Sequence, residues 1–98
     1  AVGWGWALIL SQLAPERAEV ILSRGRDYAR SRMVCNVHWM SDTEAGMTVG
    51  AAAFSQLQNN ALFQATMTAA RLELDAKTLT VPDLQTCAKE AEILAAGR

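Results

Sequence analysis

Apolar residues recur at spacings of three and four along nearly the whole chain, and that period confines it to helices. Ala18, Ile21, Leu22, Gly25, Tyr28 and Ala29 form one such stripe, on a helix expected to open at Pro15 and run to about Ser31. Pro15 suits a first helical turn, where its missing N–H is no loss, and Glu16 suits the positive end of the helix dipole. Gly46, Val49, Gly50, Ala53, Phe54 and Leu57 form a second stripe, on a helix over about 42–58 opened by Ser41 and Glu44 as a capping box. A glycine inside a helix costs up to about 1 kcal/mol, so Gly46 and Gly50 predict the close approach of another helix. Asn59-Asn60 ends this segment. Leu62, Phe63, Met67, Ala70 and Leu74 then share the inward face of a helix over 61–77. Thr78 to Val81 is β-prone but brief, and Pro82 opens a last helix with Leu84, Cys87, Ala91 and Leu94 along one side. Upstream, about 4–13 forms a short apolar segment with Trp4, Trp6, Leu8, Leu10 and Leu13. Five helices in 98 residues make an all-α fold, a helical bundle.

That length allows one small domain at most. With 51% of its residues apolar, the chain carries faces too generous for so small a body, and they are expected to pack against further chain or a second subunit. An apolar opening, Val2-Gly3-Trp4-Gly5-Trp6, reads as the middle of something. The expectation is a fragment, or one half of a nicked enzyme. Nine Lys and Arg stand against ten Asp and Glu with no basic stripe, which argues against a nucleic-acid binder. The run Ala7-Leu8-Ile9-Leu10 ends at Ser11-Gln12, too short to span a bilayer. Cys35 and Cys87 permit one disulfide or two buried free thiols. A bridge would close a loop of about fifty residues, worth roughly 4 kcal/mol, and would imply an oxidising compartment.

One stretch carries chemistry. Ser31-Arg32 is followed after five residues by His38, and after three more by Asp42. If the chain is helical through this point, His38 and Asp42 meet on one face. A carboxylate on one imidazole nitrogen fixes the tautomer and leaves the other nitrogen free to attack. Arg32 offers a planar fork of donors suited to phosphoryl oxygens. Nucleophile, orienter and oxyanion clamp are three of the roles that phosphoryl transfer needs. The bland readings are an ordinary, partly exposed histidine, a solvated or ion-paired Arg32 close in sequence to Arg24, Arg26 and Arg30, a capping Ser31, an Asp42 serving only the helix N-terminus, and a Trp39 used for packing.

The spacing resembles the third signature of the type 2 phosphatidic acid phosphatase superfamily. The flanks Gly5-Trp6-Ala7-Leu8, Leu13-Ala14-Pro15-Glu16-Arg17, Ile21-Leu22-Ser23-Arg24-Gly25, Tyr28, His38-Trp39 and Ser41-Asp42 resemble its class A bacterial non-specific acid phosphatases. The similarity is close over about 3–65 and looser beyond. It implies that residues 1–98 are the C-terminal portion of a single acid phosphatase domain, with the helical fold shared by acid phosphatases and vanadium haloperoxidases. Family members are secreted, here implying the periplasm. They need no metal or other cofactor and are blocked by vanadate. The resemblance makes His38 the nucleophile that forms a phosphohistidine, Asp42 its orienter and Arg32 the ligand of the equatorial phosphoryl oxygens. It also favours a Cys35–Cys87 bridge. A phosphate ester is the implied substrate, and a homo-oligomer the implied assembly.

The family also uses an earlier Lys/Arg signature and a Pro-Ser-Gly-His signature that supplies the general acid. Neither occurs here: His38 is the single histidine, and Lys77 and Lys89 lie downstream. The N-terminal part of the same enzyme, as a separate chain or cleaved piece, is therefore an expected partner, and the isolated 98 residues are expected to be inactive. Asn36 stands where the family favours Gly, and Met47 where Arg is common. Asn tolerates left-handed geometry better than most residues. Alternatives are a nucleotide di- or triphosphate hydrolase on the same site, and a non-catalytic helical interaction fragment. A membrane-bound lipid phosphatase fits poorly with the absence of a spanning segment, and a haloperoxidase fits poorly with the flanks.

Overall fold

In the computed structural model, residues 1–77 and 82–97 are described, and these contain α-helices, one 3₁₀ turn and no strand. Helix α1 is Val2–Leu13, the 3₁₀ turn is Pro15–Arg17, and α2 is Ala18–Val34; α3 is Met40–Leu57, α4 Ala61–Ala76 and α5 Leu84–Ala96. The β-prone stretch Thr78 to Val81 lies outside the described residues. Pro15 occupies the first position of the 3₁₀ turn, and the α-helix proper starts three residues later. Asn60 ends the gap between α3 and α4 as an N-cap, its Oδ1 accepting the Phe63 N–H at 2.9 Å. Asp83, not Pro82, caps α5, accepting the Gln85 N–H at 3.1 Å and the Thr86 hydroxyl at 2.7 Å.

Helix α1 lies between α2 and α3, and glycines set the spacing on both sides. A Cβ on Gly25 of α2 would stand 2.7 Å from the Ala7 Cβ and 3.2 Å from the Trp4 ring. One on Gly50 of α3 would stand 2.7 Å from the Ala1 carbonyl oxygen and 3.3 Å from the Gly5 nitrogen. Gly46 meets the Ala1 nitrogen in the same way, at 2.7 Å. The close approach expected from the two α3 glycines is thus made by the start of α1. At the other end of α1, the Gln12 and Gln58 side-chain amides exchange hydrogen bonds of 3.1 Å, and Arg71 of α4 donates to the Gln12 carbonyl.

Burial is thin. Among the described residues only Ala7 and Met67 form a buried apolar core, at 5% and 8% exposure. The radius of gyration is 15.3 Å, against about 13 Å for a compact domain of this length. Leu62 and Leu74, expected to face inward, are exposed, as are Val49 and Leu84 on the neighbouring apolar stripes. Periodicity marks a stripe as apolar; it does not supply the surface that covers it.

The cysteines do not meet. Both are free and exposed. Helix α5 runs parallel to α2 across two clefts: Arg24 pairs with Glu90, Cys87 and Glu90 line one cleft with Arg17, Val20 and Arg24, and Ile93, Leu94 and Gly97 line the other with Val34 and Cys35. Cys87 therefore lies beside the first half of α2 and Cys35 beyond its end. The helix rise between them is on the order of 15 Å, and a disulfide needs Cα atoms within about 7 Å. The bridge that the resemblance implied is not formed, and the thiols are not buried either.

Candidate active site

The turn between α2 and α3 places the three residues of interest. Past Cys35, Asn36 adopts φ 57°, the one positive φ at a non-glycine among the described residues. The Asn36 N–H bonds the Met33 carbonyl at 2.9 Å and the Val37 N–H bonds the Arg32 carbonyl at 3.1 Å. This pair of bonds around a left-handed residue is a Schellman motif, which satisfies the last carbonyls of a helix and reverses the chain. The reversal brings His38 back over the end of α2, where its own N–H bonds the Arg32 carbonyl at 3.3 Å.

His38 is not helical. It precedes the N-cap of α3, Trp39, so the four-residue spacing to Asp42 is not a turn of helix. The two side chains meet because Asp42, in the first turn of α3, folds back: its Oδ2 accepts the Trp39 N–H at 2.9 Å and lies 3.6 Å from His38 Nδ1. That distance is longer than a hydrogen bond, and the contact is an ion pair only when the imidazole is protonated. Both side chains are about half exposed. The expected capping box of Ser41 and Glu44 gives way to this arrangement, since the helix starts earlier than expected and puts Ser41 inside its first turn. Asp42 thus caps α3 and faces the imidazole at once, combining two readings that the sequence offered as rivals.

Arg32 is held on its own helix. Its Nε–H donates to the Ser31 hydroxyl at 3.2 Å, and that hydroxyl donates to the Tyr28 carbonyl at 2.6 Å. The guanidinium carbon stands 5.1 Å from the Tyr28 ring centre, within cation–π range. A cleft of about 320 Å³ gathers Arg32, His38 and Asp42, with Tyr28, Thr43 and Met47 and the first residues of α1 on its walls. No group of three or more His, Cys, Asp or Glu able to hold a metal occurs among the described residues.

By its spacing Tyr28 belongs to the apolar stripe of α2. The structure leaves it 55% exposed in this cleft, under Arg32. Its four-residue spacing to Arg32 was the available signal. Gly3 and Thr43 also line the cleft, and nothing local in the sequence marks them. Met47 does reach the cleft. Trp39 neither packs nor lines it: the side chain stands in solvent at 79% exposure.

Comparison with known proteins finds bacterial acid phosphatases. The chain is 45% identical over 71 residues to a non-specific acid phosphatase of Salmonella typhi, covering 72% of this chain and 28% of that protein. It is 43% identical over 77 residues to a non-specific acid phosphatase of Salmonella typhimurium, covering 79% and 31%. An acid phosphatase of Zymomonas mobilis is 42% identical over 74 residues, covering 76% and 28%. The chain thus spans under a third of the length of these relatives. No family model matches it, and no solved structure does.

Proposed function

We propose that this chain, a relative of part of the bacterial non-specific acid phosphatases, supplies the nucleophile side of a phosphomonoesterase site. The observation that carries the reading is His38 Nδ1 facing Asp42 Oδ2 at 3.6 Å in the cleft that also holds Arg32. With its Nδ1 proton directed at the carboxylate, the imidazole presents Nε2 to phosphorus. The Nε2–P bond forms as the ester P–O bond breaks, and Arg32 neutralises charge on the equatorial oxygens. The leaving alkoxide takes its proton from an acid outside these residues, because His38 is the one histidine of the chain. Water then attacks the phosphohistidine, releasing phosphate and restoring His38. No step calls on a metal.

The complete enzyme is read as periplasmic, acting on simple phosphate esters at acidic pH and inhibited by vanadate, which mimics the five-coordinate phosphorus. The decisive experiment uses the complete protein and a radiolabelled phosphate ester with rapid acid or base quenching. The expected result is a base-stable, acid-labile phosphoenzyme whose label maps to His38 and disappears in His38→Ala. Label on another residue, or turnover by His38→Ala within a few fold of the parent, sinks the reading.

A further inference from the structure

We infer that Tyr28 is a positioning residue for Arg32, and that Gly3 is the seat that keeps the Tyr28 ring in place. The inference rests on Arg32 acting as the phosphoryl ligand proposed above. Tyr28 holds the arginine from two directions. Its ring carries the guanidinium at 5.1 Å, and its carbonyl anchors the Ser31 hydroxyl, which accepts the Arg32 Nε–H. With Nε engaged, the four N–H bonds of the two terminal nitrogens remain for phosphoryl oxygens, in the fork that suits them.

Within these residues core packing does not account for the ring. More than half of Tyr28 is exposed, so burial contributes little to fixing it. Its constraint comes from α1 instead: a Cβ on Gly3 would lie 2.8 Å from both Cδ1 and Cε1 of the ring. Only glycine leaves the ring its present position. Helix α1 thereby reaches the phosphoryl ligand through one aromatic side chain, and a change at Gly3 is transmitted to Arg32 without either residue touching substrate.

The test uses the complete protein, with vanadate affinity by calorimetry and kcat and KM on a chromogenic aryl phosphate. Tyr28→Phe keeps the ring and is expected to stay within about twofold of the parent, while Tyr28→Leu weakens vanadate binding and raises KM by roughly three- to thirtyfold. The pH profile is expected to be unchanged, since His38 and Asp42 are untouched. Gly3→Ala moves both quantities in the same direction. In an Arg32→Ala background, Tyr28→Leu is expected to add nothing, the signature of action through Arg32. Parent-like vanadate affinity in Tyr28→Leu, an equal loss in Tyr28→Phe, or an undiminished loss in the Arg32→Ala background overturns the inference. Should Tyr28→Leu fail to fold, parent-like vanadate affinity in Gly3→Ala overturns it instead. If Arg32→Ala and His38→Ala both leave turnover unchanged, the proposed function itself fails. If both abolish it while Tyr28→Leu is parent-like, the positioning role alone fails.

Discussion

The backbone carbonyl of Arg32 accepts the N–H of His38 at 3.3 Å, so the residue that would bind phosphate and the residue that would attack it share one backbone joint. The same carbonyl accepts the Val37 N–H, and the whole joint depends on the left-handed Asn36 between them. Its geometry gives the first prediction.

Asn36→Gly is expected to be neutral or slightly stabilising, because glycine adopts φ 57° without a Cβ penalty. Asn36→Val is expected to destabilise by about 1–2 kcal/mol and to lower kcat as the His38 backbone shifts. Denaturant melts and steady-state kinetics on the complete protein check both. Equal stability for Gly and Val would show that the joint does not require left-handed backbone.

Asp42 has two separable tasks. Asp42→Asn keeps an oxygen for the Trp39 N–H while removing the charge beside His38, so stability is expected to hold while kcat falls by roughly 10- to 100-fold. Asp42→Ala loses the cap as well, and about 1 kcal/mol of stability with it. Parallel melts and rate measurements distinguish the tasks, and identical behaviour of the two variants would refute the division.

Gly25 faces Ala7 where no Cβ fits, at 2.7 Å. Gly25→Ala is expected to destabilise by about 1–3 kcal/mol, since α1 must move away from α2. A thermal melt unchanged from the parent would mean that the helices separate without loss.

Both cysteines are expected to react with a thiol reagent in the folded protein, without reductant or denaturant. Cys87→Ser is expected to leave stability within about 0.5 kcal/mol, as for other exposed positions. Recovery of a Cys35–Cys87 peptide from a non-reducing digest would contradict the structure.

The hydrogen bond from Thr86, and then that from the Gln85 N–H, hold the Asp83 carboxyl below its ordinary value of 3.8. A lowered folded pKa contributes stability that is present above 3.8 and is lost as pH falls through the folded value. Helix α5 is expected to fray at its N-terminus as pH falls from 3.8 through the lower folded value, seen as reduced amide protection at Gln85 and Thr86 relative to their intrinsic exchange rates. Asp83→Ala should show that loss of protection already at neutral pH, with no further dependence on Asp titration.

The helices and the order of the site residues were legible in the sequence because both are local. A period of three and four fixes helix, Asn59-Asn60 and Pro15 punctuate it, and the spacing from Arg32 through His38 to Asp42 is carried by covalent connection. The tolerance of Asn for left-handed backbone was legible for the same reason. Tertiary structure decided the rest. His38 and Asp42 meet through a capping carboxylate that folds back on a turn, not through a helical face, because the reversal at Asn36 takes His38 out of helix. Tyr28 sits on the apolar stripe of α2 yet supports Arg32, because Gly3 of α1 leaves its ring only that place. Cys35 and Cys87 stay apart because α5 runs parallel to α2. Sequence period specifies which side of a helix is apolar, but what lies against that side depends on segments distant along the chain, and only the folded arrangement assigns them.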